Sequence, residues 1–365
     1  MFDVDAVLGD PGIRIVVCCG SGGVGKTTTA ASLALRAAEQ HGRRTVVLTI
    51  DPARRLAQAL GLTELDNTPR QVKDTQLHAM MLDMKRTFDE VVLTHTAPDR
   101  AKEIFANPFY QAMSTTFSGT QEYMAMEKLG QLRADDAWDL IVVDTPPSRS
   151  ALDFLDAPAR LGRFLDGRML KLLLGTARAG GRSVFNLVAA SFGAFSKVVQ
   201  KIVGAQLLTD LSGFVNALDS MFGGFRDRAE STYRILQDPQ TAFVLVTAPE
   251  PDAVREAAYF AERLSAERMP LAGLVLNRVH LSAVPELSAE ASAEAAGALA
   301  DTHPVVAQVL EVHELLMRQV ARETAVAAQF TDQFPGVPVA RVPAQPTDVH
   351  DLAGLRTVGS ALAAE

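Results

Sequence analysis

A glycine-rich segment between an apolar run and a helical pattern restricts the fold of this chain more than any other feature. The segment reads Gly-Ser-Gly-Gly-Val-Gly-Lys-Thr over residues 20–27. The apolar run from Ile13 to Cys19 predicts a strand that enters it, and the pattern from Thr27 to Gln40 predicts a helix that leaves it. Glycines let successive backbone N–H groups turn toward one anion, and a helix N-terminus favours negative charge. The spacing therefore predicts a strand–loop–helix unit that binds nucleotide phosphates.

The residues of this loop have expected contacts with ATP and Mg²⁺. Lys26 carries the positive charge that neutralises the β- and γ-phosphates, and the hydroxyl of Thr27 is a suitable ligand for Mg²⁺. We therefore expect Mg-ATP as the ligand, with Lys26 also acting in catalysis. The predicted ATP-binding residues of the loop and the first helical turn are Gly20, Ser21, Gly22, Gly23, Val24, Gly25, Lys26, Thr27 and Thr28.

Two aspartates come directly after apolar runs and are candidates for the chemistry. Asp51 comes after the second predicted strand, where a carboxylate can accept a proton from a water that attacks the γ-phosphate. An N-cap in front of Pro52 is the alternative role for Asp51. Asp144 ends another predicted strand and begins Asp-Thr-Pro-Pro-Ser-Arg, a pattern whose carboxylate holds Mg²⁺ through water. The two prolines stiffen the backbone after Asp144, so that a γ-phosphate contact here can reposition a whole segment.

Short apolar runs alternate with longer helical patterns along the chain. The runs are continuous in apolar residues, as parallel strands buried on both faces require. We therefore predict an α/β fold with a doubly wound, mostly parallel sheet of the P-loop NTPase kind. Two stretches at about 84–132 and 157–236 are predicted to be helical insertions in a single ATPase domain over residues 1–365. The predicted strands are Ile13 to Cys19, Thr45 to Ile50, Leu77 to Leu82, Leu140 to Val143, Phe243 to Thr247 and Leu274 to Leu276, with a further strand and loop after Phe334.

Charge is distributed unevenly along the chain. The formal net charge is -8, which argues against a protein that coats nucleic acid. Residues 160–235 nevertheless hold eleven Lys/Arg against five Asp/Glu, a net of +6, so the remainder carries -14. The longest uncharged stretch there, 183–196, is shorter than the ~20 apolar residues that span a bilayer. The acidic start has no basic segment before an apolar region, so we expect a cytoplasmic protein. The basic stretch 160–235 would allow peripheral contact with an anionic membrane.

These motifs together resemble the anion-transporting ATPases of the arsenical-pump type (ArsA-like), a family that includes the ATPases that target tail-anchored membrane proteins. The resemblance covers nearly the whole chain. The segments that carry it are GSGGVGKTT from Gly20, DPARRLAQAL from Asp51, SGTQEYMAMEKL from Ser118, VVDTPPSRSALDFLDAP from Val142, ILQDPQTAFVLVTAPE from Ile235, GLVLNRV around Asn277 and PVARVPAQP around Pro343.

The resemblance implies roles for residues outside the phosphate loop. The segments after Asp51 and Asp144 would be two switch segments, and Asp51 would orient the hydrolytic water. Asn277 and the loop near Pro343 would hold the adenine. Family members act as dimers or tandem pseudo-dimers that close around two ATP molecules, so a chain with one phosphate loop implies a second subunit. The implied function is an ATP-hydrolysing dimeric switch.

Departures from the family pattern change these expectations. Family loops usually carry a lysine one residue after the first glycine, which reaches the partner's nucleotide, but this chain has Ser21 there. Because serine cannot supply that charge, we expect a heterodimer with a paralogous ATPase that carries the lysine. A homodimer in which Arg54, Arg55 or Arg149 replaces the lysine is the alternative. The zinc-binding Cys-x-x-Cys motif and the arsenite-binding cysteines are missing, so we expect no activation by arsenite.

The two predicted insertions supply candidate residues for binding a partner. Methionine and phenylalanine suit a groove for varied hydrophobic helices, and the basic surplus suits an anionic membrane face. Packing of these side chains as an ordinary helical core is the alternative. The residues concerned are Met113, Met124, Met126, Phe164, Phe185, Phe192, Phe195, Phe214, Phe222 and Phe225.

The sequence thus favours a dimeric ATPase that binds or delivers a protein partner, either a client with a hydrophobic helix or a membrane protein. A weakly hydrolysing regulatory subunit, with the chemistry in a paralogous chain, stays open as a second function. A partitioning or positioning ATPase stays open as a third, although the final segment 351–365 has Arg356 as its only cation.

Overall fold

The predicted parallel sheet is present in the computed structural model, which describes residues 1–51, 55–108, 110–111, 114, 120–146, 228 and 230–364. The strands form one sheet in the order β3-β4-β2-β5-β1-β6-β7-β8. Neighbours are parallel throughout, except for the antiparallel pair β3 and β4. The strands are β1 (Ile15–Cys19), β2 (Thr45–Thr49), β3 (Arg70–Gln71), β4 (Leu77–Met81), β5 (Leu140–Asp144), β6 (Thr241–Thr247), β7 (Leu271–Val279) and β8 (Val339–Pro343).

Helices connect parallel strands of the sheet within the described ranges. Crossover connections of this kind are what parallel neighbours require, because a tight hairpin cannot join them. The described helices are α1 (Val4–Gly9), α2 (Lys26–Gln40), α3 (Arg55–Ala59), α4 (Met84–His95), α5 (Pro98–Ala106), α6 (Thr120–Ala134), α7 (Pro251–Ala266), α8 (Ala289–Leu299), α9 (Pro304–Gln333) and α10 (Leu352–Leu362).

The central strands are buried on both faces, as their continuous apolar runs predict. Every residue of β1, β2, β5 and β6 is buried. The chain moves outward from β1 in both directions, first to β2 and β4 on one side and later to β6, β7 and β8 on the other. Ligands in open α/β sheets bind where the strand order reverses, at the carboxyl ends of the strands. In this sheet that point is the end of β1, which leads directly into residues 20–25.

The chain divides into two compact units. The first comprises Met1–Met81, Leu132–Leu152 and Ile235–Glu365 and contains the whole sheet. The second comprises Leu82–Gln131 and Asp153–Arg234, and its described part is helical. Within the second unit, Lys128 forms an ion pair with Glu90 at 2.8 Å.

Several predicted features lie outside the described residues. They include Arg54, Arg149, Met113 and nearly all of the predicted insertion at 157–236. The predicted insertion at 84–132 is described in large part and contains α4, α5 and most of α6. The predictions of one ATPase domain and of a partner-binding subdomain stay predictions. None of the helices in the described ranges combines the length and the hydropathy needed to cross a bilayer.

Candidate functional site

The loop after β1 has the backbone conformation that its glycines predict. Gly20, Gly23 and Gly25 have positive φ values of 154°, 81° and 94°. A Cβ on Gly20 would collide with the carbonyl oxygen of Val246, so the backbones of the loop and β6 approach closely. Gly25 is the N-cap of α2, and no side chain caps the first turn of this helix. The N–H groups of that turn therefore have no capping side chain among the described residues, which is the arrangement that binds phosphate.

Lys26 is a buried cation at the start of α2. The residue is 7% exposed, and its Nζ donates a hydrogen bond to the carbonyl oxygen of Ser21 at 2.7 Å. Burial lowers the pKa of Lys26, and the nearby carboxyl groups of Asp144 and Asp51 act in the opposite direction. The predicted catalytic lysine therefore lies within the electrostatic reach of both predicted aspartates.

Asp144 ends β5 between the two strands that carry the other site residues. Its backbone pairs with Cys18 of β1 on one side and with Thr49 of β2 on the other. The carboxyl group is fully buried; its Oδ2 accepts a hydrogen bond from Thr49 Oγ1 at 2.9 Å, and its Oδ1 has no partner among the described residues. Burial raises the pKa of Asp144 to about 6, although hydrogen bonds from Thr27 and Thr49 favour the charged form.

Asp51 is linked to Asp144 through the same threonine. The N–H of Asp51 donates to Thr49 Oγ1 at 3.3 Å, while that hydroxyl donates to Asp144. The N–H of Ile50 also donates to the carbonyl oxygen of Asp144 at 3.0 Å. Asp51 is partly exposed, in contrast to Asp144. The structure thus brings Lys26, Thr27, Asp51 and Asp144 together at one edge of the sheet.

Asn277 contacts the phosphate loop from β7. Its Nδ2 donates to the carbonyl oxygen of Val24 at 2.8 Å, and a Cβ on Gly25 would collide with the same nitrogen. Arg278, the next residue, has a φ of 61° where the pairing of β7 with β8 becomes irregular. A non-glycine residue in this conformation carries strain, which often marks functional sites.

A cavity of about 690 Å³ adjoins the end of the loop. Gly25, Thr28, Asn277 and Pro343 all line it, so the residues predicted for adenine binding lie around one space next to the phosphate loop. Its volume is within the range of sites that hold small molecules.

Two polar residues of α9 line this cavity, and the motifs do not predict them. Glu323 is 6% exposed, and its carboxylate accepts hydrogen bonds from Gln319 Nε2 at 2.7 Å and from the N–H of His280 at 2.8 Å. His280 Nδ1 lies 2.6 Å from the same carboxylate. The four-residue spacing of Gln319 and Glu323 places them on one helix face. Polar pairs with this spacing are also common on exposed helix surfaces, so the sequence alone does not identify them as part of a ligand site.

Ser21, which stands where family loops have a lysine, is turned inward. The residue is 8% exposed, and its hydroxyl has no hydrogen-bond partner among the described residues. The nearby thiols of Cys18 and Cys19 are buried in β1, and burial raises the pKa of both. Neither thiol is therefore available as a reactive thiolate near neutral pH.

A phosphate loop at the reversal point of a parallel sheet, with aspartates at the two adjacent strand ends, defines a P-loop nucleotide-binding protein. Comparison with known families agrees with this class and narrows it. The chain belongs to the anion-transporting ATPase family, whose model matches residues 13–293. The family and the fold class expected from the sequence are confirmed.

Individual relatives extend over different parts of the chain. ATPase GET3B of Arabidopsis thaliana is 27% identical over 288 residues, which are 71% of this chain and 62% of that protein. ATPase ASNA1 homolog 1 of Paramecium tetraurelia is 25% identical over 275 residues, 75% of this chain and 77% of that protein. A putative arsenical pump-driving ATPase of Prosthecochloris vibrioformis is 30% identical over 153 residues, 41% of this chain and 36% of that protein. The chain thus spans less than two thirds of the first and the third of these relatives.

Proposed function

We propose that this chain binds Mg-ATP at residues 20–28 and hydrolyses it, and that the nucleotide state controls binding of a protein partner. The proposal rests on one observation. Lys26, Asp51 and Asp144 lie close together where neighbouring parallel strands have their carboxyl ends. An open loop of N–H donors, a buried cation and two carboxylates of unequal exposure are the groups that phosphoryl transfer needs.

The loop residues have separate roles in binding the triphosphate. The backbone N–H groups from Gly20 to Thr28 and the N-terminus of α2 surround the β-phosphate. Lys26, which is held by the carbonyl oxygen of Ser21 in the free loop, neutralises the charge of the β- and γ-phosphates. Because Lys26 is buried, its attraction for phosphate is stronger than it would be in water.

The residues present fit a Mg²⁺ ion that enters with the nucleotide. The described residues contain no group of three or more acidic, histidine or cysteine side chains that could hold a metal by themselves. Mg²⁺ suits such a site, because it is usually held by one or two protein oxygens together with water and phosphate. Asp144 Oδ1, which is buried and has no partner among the described residues, would accept a hydrogen bond from a water on the metal, and Thr27 Oγ1 would supply a direct ligand. Mg²⁺ offsets the negative charge of the β- and γ-phosphates when it is bound.

Asp51 orients the attacking water and accepts its proton. Partial exposure gives this carboxylate access to the γ-phosphate side of the loop, and the N–H of Asp51 is held by Thr49. The adenine lies in the adjoining cavity, between Asn277 and the segment that starts at Pro343. The contact of Asn277 with Val24 then joins the base pocket to the phosphate loop.

Two substitutions separate binding from chemistry. Lys26→Ala should abolish binding of Mg-ATP, measured by calorimetry, whereas Asp51→Asn should leave binding nearly unchanged. Phosphate release by the Asp51→Asn protein should fall by roughly 100-fold or more, because a positioned general base contributes 10²–10⁴-fold. If the complete complex turns over equally fast with Asp51→Asn, the chain is a regulatory subunit whose chemistry resides in a partner.

The second subunit is proposed to be a paralogous ATPase that carries the missing lysine. A trans-acting cation at a transferring phosphoryl group is worth about 10³–10⁵ in rate, and Ser21 cannot provide it. The chain alone should therefore hydrolyse ATP slowly, and Ser21→Lys should raise its rate. Rapid ATP hydrolysis by the unmodified homodimer would contradict the heterodimer. It would favour an arginine, such as Arg55, as the cation that acts on the nucleotide of the other subunit.

The partner controlled by the nucleotide is proposed to be a protein with a hydrophobic helix, handled near a membrane from the cytoplasmic side. The support is the resemblance to the tail-anchored-protein targeting members, together with the apolar and basic composition of residues 160–235. The test is co-purification from the native cell with and without a non-hydrolysable ATP analogue. If the same proteins are recovered in both samples, binding of the partner does not depend on the nucleotide, and this part of the proposal is wrong.

A further inference from the structure

His280 lies directly after β7 and is held by a carboxylate of α9. Its backbone N–H donates to Glu323 Oε2 at 2.8 Å, and its ring Nδ1 lies 2.6 Å from Glu323 Oε1. The Glu323 side chain is buried, whereas the His280 side chain is 45% exposed. Because one buried carboxylate contacts both the backbone and the ring, it restricts the orientation of an otherwise accessible imidazole.

Gln319 supports the same carboxylate from one turn earlier in α9. Its Nε2 donates to Glu323 Oε1 at 2.7 Å, and its Oε1 accepts a hydrogen bond from Arg322 Nη2 at 2.6 Å. The amide and the carboxylate are therefore engaged in contacts within the protein. The other ring nitrogen of His280, Nε2, has no hydrogen-bond partner among the described residues. Since His280 lines the cavity beside the phosphate loop, this nitrogen is available to a ligand there.

The contact with Glu323 determines which ring nitrogen of His280 carries the hydrogen. Burial raises the pKa of Glu323, but hydrogen bonds from the His280 N–H, from Gln319 and from the His280 ring outweigh burial and hold that pKa below its ordinary value. A carboxylate without a proton only accepts hydrogen bonds, so His280 Nδ1 is the donor in this contact. In the neutral imidazole the other nitrogen, Nε2, is then an acceptor.

The cavity brings this acceptor next to the nucleoside part of a nucleotide in the loop. Gly25, at the end of the loop, and Asn277, whose Nδ2 donates to Val24, line the same cavity as His280. A nucleotide whose phosphates lie in the loop extends its base and its ribose into this space. The donors of adenosine are the 6-amino group of the base and the 2′- and 3′-hydroxyls of the ribose. A site that accepts a hydrogen bond from one of them rejects an analogue without it, because the acceptor is then left unpaired.

We propose that His280 Nε2 accepts a hydrogen bond from the nucleoside of bound ATP, and that Glu323 fixes the ring in the tautomer that makes this contact. His280 is then a specificity-determining residue, and Glu323 is a positioning residue that acts through it. The proposal rests on the proposed function, since it requires ATP to enter this cavity. It adds the means by which the chain selects one nucleoside over another.

The first test compares four nucleotides by calorimetric titration of the full chain in the presence of Mg²⁺ at pH 8, where imidazole rings are neutral. ITP has a carbonyl oxygen in place of the 6-amino group of ATP, and 2′-deoxy-ATP and 3′-deoxy-ATP each lack one hydroxyl. The unmodified chain should bind ATP more tightly than one of these analogues by roughly 5-fold or more, and that analogue identifies the donor. His280→Ala should abolish this preference. His303→Ala is the matched control, because His303 is exposed at the start of α9 and does not line the cavity.

The second test reverses the tautomer with a substitution of nearly the same shape, Glu323→Gln. The backbone N–H of His280 requires an oxygen at the Oε2 position, so the amide nitrogen of the new side chain takes the Oε1 position and donates to Nδ1. Nε2 then carries the hydrogen. A preference for ATP over ITP should be lost or reversed, because the 6-amino group cannot accept a hydrogen bond from Nε2. A preference that depends on a ribose hydroxyl should persist, since a hydroxyl both donates and accepts.

Nitrogen-15 NMR of the imidazole rings provides a readout that does not depend on affinity. The His280 signals, assigned by their absence in His280→Ala, should report hydrogen on Nδ1 in the unmodified chain and on Nε2 in Glu323→Gln. Hydrogen on Nε2 in the unmodified chain would overturn the proposal, as would equal affinities for the four nucleotides or an unchanged preference in His280→Ala. If the unmodified chain does not bind Mg-ATP at all, the proposed function fails before this inference is reached.

Discussion

Asp144 lies in an environment very different from that of an exposed aspartate. Its carboxyl group is fully buried between β1 and β2, and its pKa is raised from 3.8 to about 6. The nearby Lys26 and the hydroxyls of Thr27 and Thr49 compensate for burial only in part. In the ligand-free protein near neutral pH, a charged carboxylate is therefore kept at a cost in stability.

Asp144→Asn should make the protein more stable, by an amount that depends on pH. The pKa of Asp144 is higher in the folded protein than in the unfolded chain. The stability that its protonated carboxyl group contributes is therefore fully present below about pH 3.8 and is lost as the pH rises through about 6. Asp144→Asn resembles the protonated form and should show no such loss. Its free energy of unfolding in EDTA should exceed that of the original protein by roughly 2–3 kcal/mol at pH 7 and by little at pH 4. Denaturant titrations at both pH values provide the measurement, and an equal difference at both would contradict the assignment.

Gly25 provides a second prediction at the residue scale, based on contact with Asn277. Gly25→Ala adds a Cβ where Asn277 Nδ2 lies and forces alanine to adopt a φ of 94°. We expect Mg-ATP affinity to fall by roughly 10-fold or more, since displacement of an aligned loop loses several phosphate contacts. Asn277→Ala removes the collision, so the double variant should lose less affinity than the sum of the two single changes. Additive losses in calorimetric titrations would show that the two residues act independently.

At the scale of elements, the sequence predicts the strands better than the connections between them. The six predicted strands are present, because long apolar runs suit strands that are buried on both faces. The antiparallel strand β3 is not predicted, since Arg70 and Gln71 show no apolar pattern and are placed by pairing with Ala79 and His78 of β4. Short edge strands of this kind depend on tertiary contacts that a local pattern does not contain.

The candidate site was predictable to the extent that single motifs define it. The loop at 20–27 and the strand-end residues Asp51 and Asp144 can be inferred from local sequence. The contribution of Gln319 and Glu323 to the cavity cannot be inferred from local sequence. It depends on how α9 crosses the end of β7, which lies more than forty residues away in the chain. Burial of a glutamate through a hydrogen bond to a distant backbone N–H leaves no periodic signal in the sequence.

Two glycines in different elements give opposite expectations for the same substitution. A Cβ on Gly273 of β7 would lie 2.5 Å from the ring of Phe2, whose N–H donates to the carbonyl oxygen of Val339. Gly273→Ala should therefore displace the N-terminal segment and lower stability by about 1–3 kcal/mol. Gly297 in α8 has open space around it, so Gly297→Ala should raise stability by about 0.5–1 kcal/mol. Chemical denaturation of both variants measures the contrast, and destabilisation by Gly297→Ala would contradict it.

At the scale of the whole molecule, the candidate nucleotide site and the predicted partner-binding region fall into different units. All the proposed nucleotide contacts, from Gly20 to Thr28 and at Asp51, Asp144, Asn277 and Pro343, belong to the first unit. The second unit contains most of the basic, phenylalanine-rich sequence between residues 160 and 235. A ligand that binds one unit stabilises that unit directly and the other only to the extent that the two are coupled.

Mg-ATP should therefore shift the heat unfolding of the two units unequally. At a ligand concentration of about 100 times the Kd, binding stabilises the folded form by ~2.7 kcal/mol, which corresponds to a rise of roughly 5–10 °C for a unit of this size. Differential scanning calorimetry should show two transitions, of which the one that contains the sheet moves by this amount. Hydrogen exchange followed through each transition assigns it to a unit, and Lys26→Ala should remove the shift. If both transitions move equally, the nucleotide stabilises the helical unit as strongly as the unit that binds it, and the prediction of unequal shifts is wrong.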